Sequence, residues 1–140
     1  MTDIRVFNAH PKYRASTANT ITLARRVLAA EHQTRVRCSI VYINDRRMVA
    51  LNTKYLHHEY TTDVLTFPLN DEGDRELLGE VYINLDQARR QAGRYKVTIK
   101  CEVARLVIHG VLHLSGYNDT TRAQKKRMTE LEDIYLLKYT

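Results

Sequence analysis

The sequence predicts an α+β domain of about four strands and five helices. Short runs in which every second residue is apolar, such as Val36, Cys38, Ile40 and Tyr42, lie between segments whose apolar residues return at helical spacing. Turn residues separate the two kinds of segment, while only two prolines and five glycines interrupt the chain. With 140 residues and 44% hydrophobic content spread along its length, the chain reads as a single domain, 1–140, long enough to bury a core.

Ile4-Arg5-Val6-Phe7 reads as the first strand, and Pro11 closes the loop after it. Ser16 or Thr17 caps a helix in which Ile21, Ala24, Val27, Leu28 and Ala30 form a stripe to pack on a sheet. Val36 to Tyr42 alternates as a second strand, and Asp45 caps a helix bearing Met48, Leu51 and Tyr55. Leu56 to Thr62 has neither period and is a loop; its adjacent His57 and His58 read as solvated or as a substrate rim, because sequence neighbours rarely face one metal. Asp63 to Pro68 is a strand ended by proline, residues 70–74 are an acidic turn, and Gly79 to Ile83 is the hairpin partner. Asp86 caps a short helix that Gly93 ends. Thr98 opens a long helix, 98–115, and Thr120 or Thr121 caps a last one with Met128, Leu131, Ile134 and Tyr135 on one face.

The chemistry concentrates in the long helix. His109 and His113 stand four residues apart and therefore point their rings in nearly the same direction, the spacing of a two-histidine metal clamp. Gly116 can end the helix and let the chain turn back, bringing Asp119 toward both rings. Two nitrogens and one oxygen leave a fourth position on Zn²⁺ open for water, as a catalytic site requires. A histidine pair is also compatible with an amphipathic edge or a hydrogen-bonded core pair. Against that, Val103, Val107, Gly110, Val111 and Leu114 form an apolar stripe opposite a polar line of Glu102, His109 and His113. Leu106, Ile108 and Leu112 flank the line, so the helix is expected to be buried nearly all round, where unpartnered histidines are costly.

A net charge of +6 suggests a polyanionic partner, with nucleic acid the leading candidate. Arg89, Arg90, Arg94, Lys96 and Lys100 suit RNA phosphates, although a solvated surface explains them almost as well. No apolar run approaches the roughly 18 residues of a membrane span, and Met1-Thr2-Asp3-Ile4-Arg5 lacks a signal peptide's apolar segment. A cytoplasmic protein with no membrane partner is expected. Cys38 and Cys101 are then most simply reduced thiols.

At His109-Gly110-x-Leu112-His113-Leu114-x-Gly116-Tyr117 the sequence resembles the YbeY family, metal-dependent bacterial endoribonucleases of ribosomal RNA maturation. Leu51-Asn52-x-x-Tyr55, Thr62-Asp63-Val64-Leu65-Thr66-Phe67-Pro68, Leu78-Gly79-Glu80-Val81, and Met128 with Glu130 extend the likeness in that family's order. The resemblance implies an α+β fold with a mixed four-stranded sheet and one zinc ion on the long helix. It further implies single-stranded RNA as substrate, a role in 16S rRNA 3′-end maturation and ribosome quality control, and ribosomal RNA and the small subunit as partners. His109 and His113 are then catalytic as well as metal-binding.

Two positions depart from the family pattern. Asp119 stands where the family has a third histidine ligand, which keeps an acceptable Zn²⁺ donor but lowers the metal's net charge and shifts preference toward Mn²⁺ or Fe²⁺. Leu56 stands where the family usually has an arginine for a phosphate, leaving Lys54, Arg75 or Arg105 as spatial substitutes. A metallopeptidase of the His-Glu-x-x-His kind would need a glutamate where Gly110 stands. A non-catalytic RNA- or ribosome-binding protein with a degenerate site is the other alternative.

Overall fold

The structure, a computed structural model, describes residues 1–71 and 73–140. Nine elements follow in order: β1 (Thr2–Asn8), α1 (Thr17–Ala30), β2 (Val36–Ile43), α2 (Asp45–Leu56), β3 (Val64–Pro68), β4 (Leu77–Asn84), α3 (Leu85–Tyr95), α4 (Ile99–Leu114) and α5 (Arg122–Tyr139). The sheet has the order β1-β2-β4-β3, with β1, β2 and β4 parallel and β3 antiparallel to β4. It is therefore the mixed four-stranded sheet expected, and Asp63 to Ile83 forms the expected hairpin. Within the acidic turn, Glu72 lies outside the described residues. No helix among the described residues is long and apolar enough to cross a membrane.

Register places Val36, Cys38, Ile40 and Tyr42 of β2 on the same face as Gly79, Val81 and Ile83 of β4, and all except Gly79 belong to the buried core. Helix α4 lies on this face against β3 and β4, with α1, α3 and α5 beside it. Two glycines set its distance from the sheet. A Cβ added at Gly110 would lie 2.4 Å from Val81 Cγ1, and one at Gly79 would lie 2.2 Å from Leu114 Cδ2. The absent side chains thus let helix and strand backbones approach closely, which holds the histidine turn of α4 in place. Because Val81 is fully buried and β-branched, it has nowhere to retreat. Gly110→Val is expected to lower stability by about 3 kcal/mol, seen as a reduced thermal midpoint; an unchanged midpoint would mean that α4 is not seated there.

Two helix starts differ from expectation for one physical reason. An asparagine one or two residues earlier takes each capping role: Asn44, before Asp45, accepts from Arg47 N–H, and Asn84, two before Asp86, accepts from Asp86 and Gln87 N–H. The aspartates are thereby released for longer-range work. Asp45 takes a two-point contact from Arg90, at 2.7 and 2.9 Å, and hydrogen bonds from Asn84 and Thr61. The Arg90 contact, aided by the other donors, holds the Asp45 carboxyl down at about 2. Helix α3 also runs past Gly93 and ends on Lys96 in the left-handed region at φ 57°, so Gly93 is not its stop. Ser16, Thr98 and Thr121 cap α1, α4 and α5 through side chains that accept N–H groups of the first turn.

Candidate metal centre

The C-terminal end of α4 builds the site. Beyond Leu114, Gly116 adopts φ +108°, with its N–H donating to His113 O and the next N–H, of Tyr117, donating to Leu112 O. This is a Schellman closure, in which glycine takes the left-handed residue. At the far side of the turn, Thr121 and Gln124 form a reciprocal capping box, and the Gln124 side chain also accepts from Thr120. The chain between Gly116 and Thr121 is held at both ends, and it carries Asp119 back over the helix.

His109 Nε2 and His113 Nε2 are 3.0 Å apart, and Asp119 Oδ2 stands 3.4 and 3.3 Å from them. These three donor atoms are brought together within 4.8 Å of one another. What lies behind each ring fixes its proton. His113 Nδ1 is 2.9 Å from the carbonyl of Tyr117, which can only accept, so Nδ1 carries the hydrogen. His109 Nδ1 is 2.7 Å from Glu132 Oε2, and the same assignment follows. With Nδ1 carrying a hydrogen, each ring directs its Nε2 toward the other ring and toward a carboxylate oxygen. Three electron-rich atoms that close repel unless a cation shares them, and two imidazoles with one carboxylate suit Zn²⁺ or another small transition-metal ion.

Glu132 was not singled out by the sequence, where the α5 face was read as Met128, Leu131, Ile134 and Tyr135. In the structure Ile134 is half exposed and Glu132 is buried in its place. Its Oε1 accepts from Arg105 at 3.0 Å, and Arg105 also reaches Asp133 at 2.8 Å. A lone carboxylate on an apolar helix face was the available signal, since such a group must find a partner. Burial of the His109 ring opposes its protonation, but the Glu132 hydrogen bond and charge, with Asp119 and Asp63, outweigh this and hold its pKa above the ordinary value. Asp63 lines the same cavity and accepts from Val64 N–H at 2.8 Å. Glu102 shares the polar line but turns away to accept from Gln91 at 2.8 Å, with burial pushing its carboxyl up.

The cavity over these residues, about 640 Å³, is walled by Thr62, Asp63 and β3, by Asn70 and Leu77, and by residues of the 113–119 turn. Among the described residues it is lined by no lysine or arginine. Leu56 does not line it, nor do the three cations considered as substitutes: Arg105 is held behind His109, and Lys54 lies over the Tyr55 ring. Nor do His57 and His58; His57 instead closes α2 in the left-handed region. The α3 and α4 cations lie elsewhere. Arg90 is paired with Asp45, Arg89 stacks 3.9 Å from the Tyr13 ring centroid, and Arg94, Lys96 and Lys100 are exposed. Lys100 is nine residues before His109, about 13 Å along the helix axis. Gly110, where a peptidase glutamate would stand, faces Val81 of the sheet.

Comparison with known proteins is consistent with this architecture. The solution structure of TM1509 from Thermotoga maritima has the same fold, with a TM-score of 0.65 over 97% of this chain and 88% of that one, at 24% identity. Proteins named Endoribonuclease YbeY are similar in sequence: one from Anaeromyxobacter sp. is 37% identical over 130 residues, covering 92% of this chain and 68% of the relative. Another, from Salinibacter ruber, is 33% identical over 134 residues, covering 91% and 85%. The family model described as Endoribonuclease YbeY matches residues 5–140, which takes in every strand and helix described above except the first three residues of β1, and on that ground the chain belongs to the YbeY family.

Proposed function

We propose that this chain is a metal-dependent endoribonuclease that cuts single-stranded RNA, acting in 16S rRNA 3′-end maturation and ribosome quality control. Ribosomal RNA and the small subunit are its partners, and the cytoplasm is its compartment. The observation that carries the reading is the convergence of two Nε2 lone pairs and Asp119 Oδ2 in one cavity. His109, His113 and Asp119 would hold the metal, with zinc the first choice and Mn²⁺ or Fe²⁺ the alternatives given a carboxylate ligand.

When bound, the cation supplies Lewis-acid chemistry, polarising a phosphoryl oxygen and offsetting the charge that develops as the phosphodiester is attacked. The protein's own residues supply orientation. Glu132 and the Tyr117 carbonyl fix both rings with Nε2 inward, and Arg105 holds the Glu132 carboxylate in place by hydrogen bonding to its other oxygen. The wall from Thr62 to Thr66, leading into β3, bounds the space in which an RNA phosphate can sit. Arg89, Arg94, Lys96 and Lys100 contact the strand away from the scissile bond, and Arg90, already paired with Asp45, contributes less.

The cation-free lining favours a second reading, in which the chain binds ribosomal RNA without cutting it. Metal removal separates the two. Protein stripped with a chelator is expected to lose cleavage of a single-stranded rRNA-derived substrate and to regain it with Zn²⁺, Mn²⁺ or Fe²⁺, while duplex RNA stays intact. RNA binding with no cleavage under any of the three ions would favour the binding protein.

A further inference from the structure

A second cavity, about 820 Å³, opens on the other side of α4 from the histidines. The loop before α1, α1 itself, α3 and the first half of α4 enclose it, and Tyr139 and Thr140 also line it. Arg14, Arg26, Arg89 and Lys100 line it, each from a different segment, whereas no aspartate or glutamate side chain does. Among the described residues none of these four cations makes an ion pair, in contrast to Arg90 and Arg105 nearby. Four like charges gathered around one concavity repel each other, and this is relieved by an anion with several oxygens. The inner wall is apolar, formed by the buried Leu23 and Val107 with Val103 and Ala104. Arg89, which also lines the cavity, stacks 3.9 Å from the Tyr13 ring centroid.

We propose that this cavity binds a nucleotide phosphate, the four cations taking the phosphate oxygens and the apolar inner wall taking the base. Its volume is within the roughly 300–1,000 Å³ of small-ligand sites and is far larger than a lone phosphate needs. The same chemistry is offered by a free nucleotide and by one nucleotide of an RNA strand. The inference extends the proposed strand contacts of Arg89 and Lys100, and it is read without reference to cleavage.

Cys101 provides the readout, because it lines this cavity and is partly exposed, whereas Cys38 is buried, with desolvation and the nearby Asp3 charge pushing its thiol up to about 11. Iodoacetamide is therefore expected to alkylate Cys101 and spare Cys38 in the native protein. Saturating ADP or a short 2′-O-methyl oligouridylate should slow Cys101 alkylation by about tenfold, and Arg26→Glu or Arg14→Glu should raise the concentration needed by about tenfold each. Protection by ADP identifies the free nucleotide as a ligand; protection by the oligonucleotide alone identifies the RNA strand. His113→Ala should leave protection intact, which keeps this site separate from the metal centre. Protection by inorganic phosphate equal to that by ADP would overturn the nucleotide assignment. So would no protection by any probe, or protection that both charge reversals leave unchanged in variants of native circular dichroism.

Discussion

Removing the Glu132 carboxylate is expected to damage both the fold and the metal centre. In Glu132→Ala, Arg105 loses its partly buried partner, keeping only the exposed Asp133, and His109 Nδ1–H loses its acceptor in a buried position. Arg105 is left with one exposed partner and the His109 N–H with none, an effect of about 2 kcal/mol, which should appear as a lower denaturation midpoint. The ring is then free to rotate or to present the other tautomer, and loss of such a supporting hydrogen bond typically weakens metal affinity by about 10- to 100-fold. Glu132→Gln keeps an acceptor and removes the charge, so it should recover much of the stability and part of the affinity. Metal titration of the two variants beside the parent checks this. Equal affinity in all three would mean that Glu132 does not orient His109.

His113→Ala should have the larger effect on function and the smaller one on stability. His113 is only partly buried and its ring contacts the 117 carbonyl rather than the core. Its loss leaves His109 and Asp119 as the remaining donors in the group, and two ligands do not hold a transition metal against dilution or chelators. Metal content should fall from about one equivalent to near zero, with cleavage falling by about 10³-fold or more, as for other groups whose charge stabilisation acts in the transition state. Metal content that stays near one equivalent would place the ion on other ligands.

Much of this was legible because two periodicities dominate the chain. The alternation of β2 and the apolar stripes of α1 and α4 are set by burial on one side, and each element occurs where its period indicates. The clustering of His109, His113 and Asp119 was legible for a local reason: an i,i+4 pair followed by a glycine stop constrains where Asp119 can go within one turn. The β3–β4 hairpin was legible in the residues themselves, and resemblance to the YbeY family added that the four strands form one mixed sheet. The helix starts at Asn44 and Asn84 were misplaced because Asn-Asp and Asn-x-Asp each offer two capping residues, and the choice depends on distant partners, Arg90 for Asp45 and His10 for Asp86. Glu132 escaped notice for a similar reason. Its role is created by Arg105 and His109, more than twenty residues earlier, and no local pattern encodes such a contact. The scattered Arg14, Arg26, Arg89 and Lys100 are gathered only by the fold.

Asp119 is the donor on which the three-atom centre turns. Asp119→Ala should be purified without added metal and measured for transition-metal content and for cleavage of single-stranded precursor rRNA, beside the parent and Asp119→His. A centre built on His109, His113 and Asp119 requires that the alanine variant lose most of its metal and its cleavage, and that the histidine variant retain both. An alanine variant with full metal content and parental cleavage would remove Asp119 from the site and contradict that assignment.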